Sequence, residues 1–125
     1  MKELLRKHHI SFQNAFRGLI WALSTQPNFR VHFIVSVLAV AFGVAVGITR
    51  FEMIVIIFTI VLGLTAEMIN TSIESMTDLI TKEWRQEAKI AKDVSAGMML
   101  TVAFGAILIA GAIFVPYLSR LFSFI

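Results

Sequence analysis

The sequence predicts an all-α membrane protein, with an N-terminal amphipathic surface helix and three membrane helices in one domain of 125 residues. Three observations predict it. The chain is 58% hydrophobic and 15% charged, with mean hydropathy +0.83, which is more apolar than an ordinary soluble domain. Its apolar residues gather into runs long enough to cross ~30 Å of hydrocarbon. Its Lys and Arg gather outside those runs, at the N-terminus and between residues 81 and 93. The lack of cysteine excludes disulfides, thiolate metal sites and cysteine nucleophiles. In so apolar a chain, a net charge of +3 points to anionic lipid headgroups and away from nucleic acid. Residues 1–10 are too polar for the apolar region of a cleavable signal.

The first element, residues 1–24, is expected to be the surface helix. Phe12, Phe16, Leu19 and Leu23 recur at helical spacing, with Ile20 beside them, while Lys2, Arg6, Lys7 and Arg17 supply positive charge. Trp21 suits headgroup depth. Residues 24–27 read as a break, with Pro27 fitting a first helical turn where its missing N–H costs nothing. The expected membrane helices are 31–48, 53–80 and 95–118, the last ending around Pro116. A tight loop, 49–52, joins the first two, and a charged connection, 81–93, joins the second and third. The Lys/Arg bias places the N-terminus and the 81–93 connection in the cytoplasm. Gly43, Gly47, Gly63, Gly97, Gly105 and Gly111 would allow close helix approach.

The second membrane helix carries the chemistry. Glu67, Asn70, Glu74 and Asp78 stand at i, i+3, i+7 and i+11, on one face. A carboxylate near the hydrocarbon costs roughly 2.5–3.5 kcal/mol even on a lenient insertion scale. Three on one face imply function, and burial of such a face by a thin bundle implies self-association. Glu67 and Glu74 lie about 10.5 Å apart along the axis, too far to hold one small cation together. Two separate tasks follow, one as a divalent-metal ligand and one as a general base. Asn70 can hydrogen-bond either. Lys92 and Asp93, after the charged connection, suit a phosphate and a cation or ribose hydroxyl.

Plainer readings stand beside these. Asp78, Lys82, Lys89 and Lys92 also read as solvated helix-end charges, and Asn70 and Thr71 as interhelical hydrogen-bonding groups. His32 reads as interfacial, His8 and His9 as solvated, and no His pair has zinc-ligand spacing. There is no G-x-x-x-x-G-K-[ST], no G-x-G-x-x-G and no serine nucleophile elbow. Phosphoryl transfer needs mainly positioning, a metal and charge compensation, so a carboxylate-rich face could serve it. A small ion-coupled transporter with Glu67 as its proton site is the rival reading.

The run Ala66-Glu67-Met68-Ile69-Asn70-Thr71-Ser72-Ile73-Glu74-Ser75-Met76-Thr77-Asp78, with Ala91-Lys92-Asp93-Val94-Ser95-Ala96-Gly97, resembles the signature of the small integral-membrane diacylglycerol kinases of bacteria. The surface-helix pattern Phe12, Ala15, Gly18 extends the likeness over nearly the whole chain. So does Asn28-Phe29-Arg30-Val31-His32, which is similar to the undecaprenol kinase branch. The resemblance implies a homotrimer that transfers the γ-phosphate of ATP to a membrane lipid hydroxyl, with Mg²⁺, in the bacterial inner membrane. It implies Glu67 as catalytic base with Asn70 beside it, and Glu74 as metal ligand at the nucleotide. It implies Lys92 and Asp93 as nucleotide contacts, and Asp78 and Arg30 as supporting residues. Asn14 falls where a family nucleotide contact is often tyrosine. Gln26 stands where the family usually has a second metal-binding glutamate, and its uncharged carbonyl makes it a weak ligand. A catalytically weakened family member is therefore a further reading.

Overall fold

The computed structural model describes residues 2–122 as four helices: α1 (Lys2–Thr25), α2 (Pro27–Val46), α3 (Arg50–Ile80) and α4 (Gln86–Phe122). Among the described residues there is no strand. Met1, the expected start of the surface helix, lies outside them, as do the side chains of Lys2 and Lys7. Three helices are long and apolar enough to cross a membrane, Pro27–Val46, Arg50–Ile80 and Gln86–Arg120.

The boundaries differ from the sequence expectation at every junction. The break between α1 and α2 is the single residue Gln26, extended at φ −97° and ψ 109°, and Pro27 opens α2. Residues 27–30 are therefore helical, because proline at the first position is preorganised for a helix. Gly47 ends α2 in the left-handed conformation, φ 70° and ψ 44°; its N–H donates to Val44 O, and that of Ile48 to Gly43 O. The expected loop 49–52 is mostly helix. Thr49 caps α3: Glu52 N donates to Thr49 Oγ1 at 3.3 Å, and Thr49 N donates to Glu52 Oε2 at 2.7 Å. This capping box, T-x-x-E, is written in the sequence.

The charged stretch 81–93 is not all connection. Only 81–85 joins the helices, and α4 begins at Gln86. Gln, Glu, Ala and Lys are good helix formers, and Glu87 suits the positive end of the helix dipole. Charge is a signal of solvent and carries no instruction to stop a helix. Nor does Pro116 end α4, which runs on to Phe122; membrane helices tolerate an interior proline.

Length arranges the helices by depth. The 20 residues of α2 span about 30 Å, the thickness of the hydrocarbon. The 31 residues of α3 and 37 of α4 reach about 46 and 56 Å. Their excess belongs at the charged end, around 74–93, where an aqueous or headgroup setting is required. Here α3 and α4 pack antiparallel, tied at one end by Tyr117 OH donating to Glu52 Oε2 at 2.7 Å and at the other by Lys92 against Asp78. The apolar core sits toward the Glu52 end: Ile56, Ile113 and Phe114, flanked by Val40, Ile60 and Ala110, with Phe42 tilted 59° to Phe114 at 5.0 Å.

The glycines do less within the chain than expected. A Cβ on Gly43 would meet Ile48 Cδ1 at 2.9 Å and Met53 Cε at 3.0 Å, whereas Gly63, Gly97, Gly105 and Gly111 face open space. α1 touches the rest mainly through α2, and Phe12, Phe16, Leu19 and Ile20 stay exposed.

Candidate active site

The polar stripe of α3 is buried from its membrane end upward. Glu67 is 3% exposed and Asn70 6%, with Ala66, Thr71 and Thr77 also buried and Glu74 half-buried. Asp78, a turn further, is exposed. Thr77 is buried beside it, so the face turned inward stays covered while Asp78 reaches solvent.

Within the stripe, Asn70 Nδ2 donates to Glu74 Oε1 at 3.0 Å. Asn70 Oδ1 is buried with no hydrogen-bond partner among the described residues. A buried unpaired carbonyl oxygen costs about 1–3 kcal/mol, so it marks a place where a donor or cation belongs. Thr77 and Ser72 do not compete for that place, because their hydroxyls donate to the carbonyls of Ile73 and Met68 on their own helix. Glu67 has no hydrogen bond or ion pair among the described residues; His32 on α2 and Glu74 on its own helix are the titratable groups in its surroundings. A buried carboxylate left open in this way is free to take a proton from a ligand.

Two further features complete the geometry. An apolar groove of about 320 Å³ runs between α2, α3 and α4, from His32 and Gly63 down to Ile56 and Ala110. Gly63 and Leu64, which line the groove, lie about one turn before Glu67 on α3. At the charged end, Lys92 pairs with Asp78 across the hairpin, and Lys89 pairs with Asp93 along α4. Ser95, 2% exposed, donates to the Lys92 carbonyl at 2.9 Å and anchors the backbone there.

The site can thus take an apolar chain from the membrane, hold its polar end at an open carboxylate, and offer oxygen ligands and a lysine toward water. A family model, that of prokaryotic diacylglycerol kinase, matches residues 13–114. The chain belongs to this family. It is 33% identical over 113 residues to a diacylglycerol kinase of Synechocystis, covering 90% of this chain and 65% of that protein. It is 32% identical over 114 residues to an undecaprenol kinase of Bacillus subtilis, covering 91% of this chain and 93% of that one. The chain therefore spans just under two thirds of the Synechocystis relative and almost all of the Bacillus one.

Of the expected family positions, one chain brings together Glu67, Asn70 and Glu74 on α3, and Asp78 with Lys92 across the hairpin. Asp93 turns to Lys89. Three positions form no side-chain hydrogen bond or ion pair with these among the described residues. Asn14 is exposed on α1, and Arg30 is exposed on α2, neither with a side-chain partner among the described residues. Gln26 is half-buried at the α1–α2 break, where its Nε2 donates to Thr25 Oγ1 at 3.3 Å. Among the described residues no three His, Asp or Glu side chains converge on one point.

His32 and Ser95 enter the site unannounced. Histidine at the start of a membrane helix reads as interfacial, and its approach to Glu67 depends on how α2 leans on α3. Ser95 reads as an ordinary small residue, and only the packing of α4 buries it.

Proposed function

We propose that the protein is a membrane lipid kinase that transfers the γ-phosphate of ATP to the hydroxyl of diacylglycerol or undecaprenol. The observation that carries this reading is Glu67, a buried carboxylate without a hydrogen bond or ion pair among the described residues, one turn beyond Gly63 of an apolar groove. The names of both relatives favour phosphoryl transfer over ion-coupled transport.

In this reading the lipid enters from the membrane with its hydroxyl at Glu67. The carboxylate takes the hydroxyl proton as the oxygen attacks the γ-phosphorus in line, and ADP leaves with its bridging oxygen. His32 lines the groove through which the lipid would enter. Asn70 holds the Glu74 carboxylate through its amide and turns its free Oδ1 toward the reacting groups. Lys92 offsets phosphate charge, and Asp93 approaches the ribose after release from Lys89.

The donors suit Mg²⁺, a hard cation that takes oxygen ligands and is commonly held by one or two carboxylates plus substrate phosphates. Glu74 would hold it, with Gln26 a weak ligand, and the orphaned Asn70 oxygen adds a further oxygen donor beside Glu74. When bound, the ion neutralises charge on the phosphates. The apolar faces that a single chain leaves exposed support a homotrimer, with sites completed by a neighbouring subunit. The Lys/Arg bias supports a bacterial cytoplasmic membrane location with the N-terminus and the 81–85 connection inside.

Purified protein in lipid, given labelled ATP and each candidate alcohol, tests the proposal. Labelled phosphatidic acid or undecaprenyl phosphate is the expected product. Absence of labelled lipid with every acceptor would overturn the kinase reading, and solute flux without ATP turnover would favour transport.

A further inference from the structure

Both members of the Lys92-Asp93 pair are already engaged by the chain itself. The Lys92 ammonium meets the Asp78 carboxylate, and the Asp93 carboxylate meets the Lys89 ammonium. The first of these is the ion pair that crosses between α3 and α4 among the described residues. Its side chains are 39% exposed at Lys92 and 60% at Asp78, so a soluble anion can reach it and solvent keeps it weak. The backbone beneath Lys92 is fixed, because buried Ser95 bonds its carbonyl. The ammonium at the end of its flexible stem is the part able to move.

Position gives the pair a consequence. Asp78 lies one turn beyond Glu74 on the same face, about 6 Å along the axis. The Lys92 ammonium therefore rests one turn away from the carboxylate where the phosphates are placed. Asp78 and a phosphate carry the same sign and compete for one cation. The outer Tyr117–Glu52 tie holds the hairpin in register while that competition is settled at the other end.

We infer that Asp78 is an internal stand-in for phosphate: it parks Lys92 in the unliganded protein, and a polyphosphate ligand displaces it. The inference rests on the proposed role of Lys92 as the phosphate-contacting lysine. Asp78 is then a positioning residue that sets nucleotide affinity by competition.

Inorganic tripolyphosphate is the probe, titrated calorimetrically into the full-length protein in lipid-containing detergent. Asp78→Asn is expected to tighten its binding ~2- to 5-fold at low salt, the range a weak exposed pair can supply. The difference should fade in 0.5 M NaCl, where charges are screened within about 4 Å. Asp78→Glu, which keeps the carboxylate, should bind like the parent, and Lys92→Gln should weaken binding in either background. Unchanged or weaker binding by Asp78→Asn overturns the inference, because Asp78 would then assist phosphate and not compete with it. A second measurement needs no variant. Amine acylation followed by mass spectrometry should modify Lys92 several-fold more slowly than exposed Lys82 at low salt, and the gap should close as salt rises. Equal rates at low salt overturn the inference. Lipid phosphorylation by the parent protein tests the proposed function; these two readouts report on the ion pair whether or not lipid is phosphorylated.

Discussion

Glu67 is a carboxylate in an expensive place, with no hydrogen bond or ion pair among the described residues. A general base contributes roughly 10²- to 10⁴-fold, so Glu67→Gln should lower lipid phosphorylation by at least ~10²-fold while helix content by circular dichroism stays the same. In the proposed mechanism Asn70 acts through Glu74. Asn70→Ala removes the 3.0 Å bond that aims that carboxylate and should cost ~10- to 100-fold in activity, the usual size for a residue that orients a ligand. The loss should appear as a higher magnesium requirement. Gln26→Glu adds the charge that the position lacks, and the expected outcome is half-maximal activity at lower magnesium. If the requirement does not move, Gln26 is outside the metal shell. At this scale the candidate site was legible where it depends on helical spacing alone: Glu67, Asn70 and Glu74 share a face because of their numbers. The Asp78–Lys92 pair was not legible, because it depends on how tightly residues 81–85 turn the chain.

The helices were legible as objects and less so at their edges. Apolar runs announce spans, but polar residues do not announce ends, so the charged segment 86–93 passed for a connection although its residues favour helix. The capping box at Thr49 and Glu52 was available to sequence reading, and it moves the start of α3 outward to Arg50. Gly47 and Tyr117 test the edges. Gly47→Ala forces a side chain into the left-handed region at φ 70° and should destabilise the α2–α3 corner by about 1–2 kcal/mol. Unfolding in mixed detergent would measure it. Tyr117→Phe removes the hydroxyl that ties α4 to Glu52. It should lower the thermal midpoint, and so should Glu52→Gln. The double variant should fall by less than the two drops together, since both act on one interaction.

As a whole, a single copy of this chain leaves most of its apolar surface open, with a buried apolar core of Ala22, Phe29, Ile56, Ala66, Ile113 and Phe114. Lipid covers the spans, but its chains cannot satisfy the buried Asn70 oxygen, which has no partner among the described residues. Light scattering in mild detergent should therefore give a protein mass near three times 14.0 kDa, and conditions that reduce it to one copy should abolish activity while leaving the helices intact. By itself the sequence determined the class of the molecule, the number of apolar helices long enough to span and the one face that Glu67, Asn70, Glu74 and Asp78 share. All three follow from hydropathy and a period of 3.6, which are properties of neighbours along the chain. Only the tertiary structure decided that Asn70 Oδ1 has no partner among the described residues, that Glu67 is buried and that Lys92 rests on Asp78. Those facts depend on how α2, α3 and α4 lean together, and that is settled by packing between residues far apart in sequence, which no local period encodes.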